Sequence, residues 1–228
     1  MSIHSKLLLL VTLWLLSLVS SAHEVSSGDV EVLRGLSGVQ LLHYGWLGAK
    51  HMITGYDHLL FLLGVIFYVR HFRDVVVLVS LFALGHSITL ILGVAFSWGA
   101  NSYLVDAIIG LSVVYKGFDN LGGFSLFFGE RPNEKLVVLV FGLFHGLGLA
   151  TKLQAVAVRD DGLIENLLAF NVGVELGQLT ALIATLGVLR LLPILRENKL
   201  VAHTVNGMLL TAGVALMTFQ FQQYLLAS

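Results

Sequence analysis

Two histidines and an aspartate lie at the start of a long apolar stretch. His51, Asp57 and His58 are followed directly by residues 59–69, none of which is charged. Because ionisable side chains are unfavourable inside a membrane, such residues beside an apolar helix indicate a functional site. In a continuous helix, His51 and His58 would be about two turns apart on one face. Asp57 would lie roughly 100° round the helix, where its carboxylate could orient an imidazole.

Further ionisable and amide side chains lie in later apolar stretches. In chain order they are His86 with Thr89, then Asp106, then His145, and finally Asn171, Glu175 and Gln178. The spacing i, i+4, i+7 puts the last three on one helical face. At about 1.5 Å per residue, the ionisable groups fall in the middle or outer half of a membrane. We predict that they face the bundle interior and form a shared metal or proton site. Interhelical hydrogen bonding is the alternative that the sequence leaves open.

The ligand chemistry follows from the absence of cysteine in the 228 residues. Without thiols, disulfides and iron–sulfur clusters are excluded. Imidazole and carboxylate ligands suit Ni²⁺, Zn²⁺, Co²⁺, Fe²⁺ or Cu²⁺ better than Ca²⁺ or Mg²⁺. The predicted metal ligands are His51, Asp57, His58, His86, His145 and Glu175. The predicted supporting residues are Asp106, Asn171, Gln178 and Thr89.

Composition places the chain among membrane proteins. It is 57% hydrophobic and 12% charged, whereas a soluble domain carries about 25% charged residues. Its formal net charge of -1 offers no basic surface for nucleic acid. We therefore predict an all-α integral membrane protein.

The chain divides into three parts. Residues 1–22 are typical of a cleaved signal peptide, with an apolar run before Ser20, Ser21 and Ala22, although an uncleaved anchor is the alternative. Residues 23–50 are predicted to be a short periplasmic tail and an interfacial helix. Residues 51–228 are predicted to form a bundle of about six transmembrane helices. The predicted spans are 52–70, 75–98, 102–121, 136–157, 164–190 and 201–225.

The distribution of basic residues predicts the orientation. The loops after the first, third and fifth spans contain Arg70, Arg73, Arg131, Lys135, Arg196 and Lys199. Loops rich in lysine and arginine stay in the cytoplasm. The prediction is thus a multi-pass protein of the bacterial inner membrane with both mature termini in the periplasm.

Four motifs in order resemble the HupE/UreJ family. They are His51-x5-Asp57-His58, Gly85-His86-Ser87-x-Thr89, Phe144-His145-Gly146 and Asn171-x-Gly173-Val174-Glu175-x-Gly177-Gln178. The resemblance covers roughly residues 48–225. It implies a membrane protein that transports or binds nickel and acts with hydrogenase or urease maturation proteins. His51, Asp57, His58 and His145 match the metal-associated motifs, while His86 and Glu175 match polar positions of the second and fifth spans.

The fourth span departs from the pattern of the nickel-linked members. Those members have a second histidine, as in Phe-His-Gly-x-Ala-His-Gly, whereas this chain continues from Gly146 through Leu147 and Gly148 to Leu149 and Ala150. The chain is in this respect similar to the second HupE/UreJ subgroup. The resemblance therefore implies a metal more firmly than it implies nickel.

Two functions are compatible with these residues. The first is a permease or metal-binding accessory protein for a divalent transition metal, with nickel favoured. The second is an intramembrane zinc-dependent hydrolase, in which three histidines hold the metal and Glu175 or Asp57 acts as general base. A permease needs a polar exit on the cytoplasmic side of the site, whereas an enzyme can be closed there.

Overall fold

The computed structural model describes residues 38–156 and 162–227, which contain nine helices and no strand. The predicted all-α class is confirmed for this part of the chain. The predicted signal peptide and the tail as far as residue 37 lie outside the described residues. The helices are α1 Leu41–Thr54, α2 Tyr56–Ile66, α3 Phe72–Ala95, α4 Ser102–Asn120, α5 Gly123–Phe128, α6 Glu134–Val156, α7 Leu163–Leu191, α8 Ile194–Glu197 and α9 Lys199–Ala227.

Four of the described helices are long and apolar enough to cross a membrane. They are α3, α6 over Glu134–Gln154, α7 and α9. α2 is apolar but has only 11 residues, and α4 has 19 residues that include Asp106, Lys116 and Asp119. Six crossings therefore remain a prediction.

The predicted first span, 52–70, is not a continuous helix, because α1 and α2 meet at Gly55. Gly55 has extended backbone angles, φ −72° and ψ 100°, and its N–H donates to the His51 carbonyl oxygen over 2.9 Å. Glycine has the lowest helix preference of any residue except proline, so the break falls there. Gly55 is buried, as non-helical backbone within a membrane must be.

Three pairs of helices form the bundle, and glycines let each pair approach closely. α1 lies parallel to α7, where a Cβ atom at Gly173 would collide with the Gly45 carbonyl oxygen. α3 lies parallel to α6, and α4 antiparallel to α9 with Gly110 against Met217. α2 contacts both helices of the α1–α7 and α4–α9 pairs and also α3, and it is therefore central. Small residues commonly allow such contacts between membrane helices.

The basic loops gather at one end of the bundle. Arg70 and Arg131 line one cavity there, and the Arg196 Nη2 donates to the Ile66 carbonyl oxygen at the end of α2 over 2.9 Å. At the opposite end, the Asn166 Oδ1 accepts from the Gln40 N–H over 2.7 Å and fixes the start of α1 against α7. The three loops predicted to share one side of the membrane thus lie together.

Candidate metal site

Four imidazoles gather around the first turn of α2. The ring centre of His58 lies 5.0 Å from that of His145, 5.1 Å from that of His51 and 6.0 Å from that of His86. We call these four side chains the imidazole cluster. They come from α1, α2, α3 and α6, so residues far apart in sequence meet where α1 ends and α2 begins, level with the middle of α3 and α6.

Asp57 adds a carboxylate to the cluster. One ligand atom from each of Asp57, His58 and His145 lies within 4.8 Å of the other two, and all three residues are buried. The His58 Nδ1 is 3.2 Å from the Asp57 Oδ1. A carboxylate in this position orients an imidazole and increases its basicity as a ligand. The group could therefore hold a metal ion.

The hydrogen bond of His145 determines which of its nitrogens can bind a metal. Its Nδ1 is 2.8 Å from the Phe141 carbonyl oxygen, one turn earlier in α6. A carbonyl oxygen only accepts, so Nδ1 carries the proton in this bond. Nε2 is then the nitrogen whose lone pair can coordinate a metal.

Hydrogen bonding does not account for the burial of His86 in the imidazole cluster. It is 0% exposed, and neither ring nitrogen forms a hydrogen bond within residues 38–156 and 162–227. Leaving a buried polar group unsatisfied costs about 1–3 kcal/mol. A metal ion or a water molecule bound between His86 and His58 would satisfy such a ring.

Two phenylalanines surround the imidazoles with apolar surface. The ring centre of His145 is 4.9 Å from that of Phe82 and 5.5 Å from that of Phe61. Neither phenylalanine was predicted from the sequence, although the spacing could have indicated both. Phe61 follows His58 by three residues and Phe82 precedes His86 by four, so each shares a helical face with a histidine.

Three of the predicted supporting residues lie inside the bundle. The Thr89 Oγ1 donates to the Leu143 carbonyl oxygen over 2.6 Å and so joins α3 to α6. The Gln178 Nε2 donates to the Val79 carbonyl oxygen over 3.3 Å, and Gln178 lines a narrow space beside His58. Asn171 is buried, and its Oδ1 has no hydrogen-bond partner among the residues described.

Asp106 belongs to a second polar group. Its Oδ2 is 2.9 Å and its Oδ1 3.2 Å from the Lys152 Nζ. Lys152 follows His145 by seven residues on α6, which places this ion pair about two turns from the cluster. Lys152 was not predicted from the sequence, because it lies near the end of a span where lysine is common.

The structure does not bring Glu175 to the cluster. Its side chain is exposed on α7, between Val172 at 57% and Leu176 at 58% exposure. The buried face of α7 passes through Asn171, Val174 and Gln178, so Glu175 lies at its edge. Of the three residues that the i, i+4, i+7 spacing places on one face, Asn171 and Gln178 are therefore buried, whereas Glu175 is not.

Glu175→Gln is expected to leave metal affinity unchanged, because the carboxylate does not face the imidazoles. Asp57→Asn, which removes a buried carboxylate next to His58, is expected to lower the affinity at least about 10-fold. Equilibrium dialysis of Ni²⁺ against the two purified variants makes the comparison. A large loss of affinity in Glu175→Gln would show that Glu175 reaches the metal in another conformation.

Comparison with known proteins identifies one family. A family model described as HupE / UreJ protein matches residues 28–228, which include all the residues of the cluster. Comparison with curated proteins gave no match, and comparison with solved structures gave none either.

Proposed function

The chain belongs to the HupE/UreJ family, and from that membership and the buried imidazoles we propose that it carries a divalent transition metal across the inner membrane. The family name connects it with metal supply to hydrogenase or urease maturation, so proteins of those pathways are the proposed partners. Nickel is the proposed metal and zinc the alternative, because imidazole and carboxylate ligands accept both.

The proposed ligands are Asp57, His58 and His145, with His86 beside them. The observation that supports a metal most directly is His86, a fully buried imidazole with no hydrogen bond within the described ranges. Bonds to such a metal are about 2.0–2.2 Å long. The three ligand atoms lie within 4.8 Å of one another, so small movements of the side chains would bring them to a common ion. A transporter must also release the ion that it binds.

The proposed path runs from the periplasm through the cluster to the cytoplasm. α1 and α2 together make the first of six crossings, followed by α3, α4, α6, α7 and α9. The end of the bundle with the basic loops is the cytoplasmic end. Both termini of the mature chain are then periplasmic, and the break at Gly55 places Asp57 and His58 partway across the membrane.

A polar cavity at the basic end supports transport over catalysis. It has a volume of about 660 Å³ and is lined by charged residues that include Lys116, Asp119 and Glu134. A permease requires a hydrated exit of this kind, whereas a hydrolase does not.

Uptake of radioactive nickel into proteoliposomes tests the proposal. Vesicles containing the purified protein are expected to accumulate Ni²⁺ faster than protein-free vesicles, and excess Zn²⁺ or Co²⁺ in the medium should compete. Metal analysis of the same preparation shows whether the protein binds an ion. Bound metal without uptake of any divalent ion would contradict transport and favour the intramembrane metalloenzyme.

A further inference from the structure

Two internal spaces lie one after the other along the axis of α2. The first, which we call the basal cavity, is the 660 Å³ space at the basic end, and the exposed residues Arg70, Asp74 and Arg131 line its mouth. The second is a narrow space of about 10 Å³ beside the imidazole cluster, lined by His58, Phe61, Phe82 and Gln178 among others. That volume is about the smallest that can hold one water molecule.

Val65 and Leu78 separate the two spaces, since each of them lines both. Val65 lies in the last turn of α2 and is 4% exposed, and Leu78 lies in the first half of α3 and is 3% exposed. The barrier between the imidazole cluster and the basal cavity is therefore as thin as these two side chains. Both are apolar, and a constriction of apolar side chains excludes water and ions without a covalent or charged barrier.

The charges of the basal cavity favour release of a cation over its retention. Its lining includes four cationic side chains, Arg70, Lys116, Arg131 and Lys135, and three carboxylates, Asp74, Asp119 and Glu134. The Lys116 Nζ bonds the Asp119 Oδ2 and the Glu134 Oε1, each over 2.8 Å. The Arg131 Nε also lies 3.9 Å from the Asp119 Oδ1. Lys116 and Arg131 together balance the charges of Asp119 and Glu134, so these two carboxylates offer little net charge to retain a cation.

We propose that Val65 and Leu78 form a hydrophobic gate through which the metal ion leaves the imidazole cluster for the basal cavity. This inference rests on the proposed function. In the closed state the two side chains keep water from the imidazoles. The gate opens when the Leu78 side chain changes rotamer or the last turn of α2 moves away from α3.

Thiol labelling tests the gate without relying on transport, because the natural chain contains no cysteine. Val138 lines the narrow space but not the basal cavity, so Val138→Cys reports access beyond the gate. Asp74→Cys, at the mouth, reports access to the cavity itself. The reagent is sulfonatoethyl methanethiosulfonate, which does not cross membranes, applied separately to right-side-out and inside-out vesicles. Asp74→Cys should react rapidly from one side, and Val138→Cys should be protected from that side.

Two substitutions of Leu78 should change this pattern in opposite ways. Leu78→Asn keeps the branched shape of the side chain but is polar and admits water, so it should expose Val138→Cys to the reagent and raise Ni²⁺ uptake severalfold. Leu78→Phe places a larger side chain in the gate and should lower the rate of Ni²⁺ uptake. Equilibrium metal binding at the imidazole cluster should be retained. Leu84→Phe, at a leucine on the same helix that is 52% exposed, is the matched control and should behave as wild type.

The outcomes separate this inference from the proposed function. In the otherwise unchanged protein, rapid labelling of Val138→Cys from the side on which Asp74→Cys reacts would show that no closed gate exists. If wild-type protein transports Ni²⁺ and Leu78→Phe does so at the same rate, the metal leaves the imidazole cluster by another route. If the unsubstituted protein takes up no divalent ion, the transport proposal fails, and the gate fails with it as an exit for metal. Retained metal binding in each variant shows that the substituted proteins are folded.

Discussion

His58→Ala is expected to lower the affinity for Ni²⁺ by at least about 100-fold and to abolish uptake, because His58 lies at the centre of the imidazole cluster. It lies next to Asp57 and is the imidazole against which the rings of His51, His86 and His145 all pack.

His58→Ala should lose metal binding without a comparable loss of folding stability. A polar contact between membrane helices contributes about 1–2 kcal/mol at most, so the folded protein should persist. Bound metal and the initial rate of Ni²⁺ uptake are measured on equal amounts of folded protein. The matched control is His203→Ala, which removes an exposed histidine whose Nδ1 bonds its own helix at the Lys199 carbonyl oxygen. Normal binding and uptake by His58→Ala would rule out a ligand role for His58.

Gly146→Ala is expected to destabilise the protein by about 1–3 kcal/mol and to weaken metal binding, although Gly146 itself binds nothing. Gly146 follows His145 on α6, at the closest approach of α6 to α3. An added Cβ atom would collide with the carbonyl oxygen of His86 and with the Thr89 Oγ1. The collision involves backbone, so the two helices must separate, and His86 and His145 separate with them.

Gly207→Ala is the matched control, because an added Cβ atom at this glycine of α9 meets no atom within 4 Å. Replacing an unobstructed glycine within a helix by alanine should stabilise the protein by roughly 0.5–1 kcal/mol. Thermal unfolding in detergent and equilibrium dialysis of Ni²⁺ compare the two variants. Equal stability and equal affinity would contradict the close packing of α3 against α6.

The sequence by itself determined the class of the protein and predicted a common level for its histidines. Long apolar stretches without cysteine imply membrane helices and a site of imidazoles and carboxylates. The positions of His58, His86 and His145 within their stretches predicted a similar depth, because rise per residue in a helix is fixed. These inferences depend only on composition and spacing along one helix, and they agree with where the structure places the three histidines.

Only the tertiary structure decided which side of each helix faces the others. A membrane helix is apolar on its lipid-facing side as well as on its packed side, so hydrophobic periodicity does not reveal its rotation. The rotation of α7 is set by Gly173 and Gly177 against α1, and it buries Gln178 while exposing Glu175. The pairing of Asp106 with Lys152 likewise depends on a contact between distant segments. For that reason the sequence could predict the candidate ligands of the imidazole cluster, but helix packing decided which of them meet and in what arrangement.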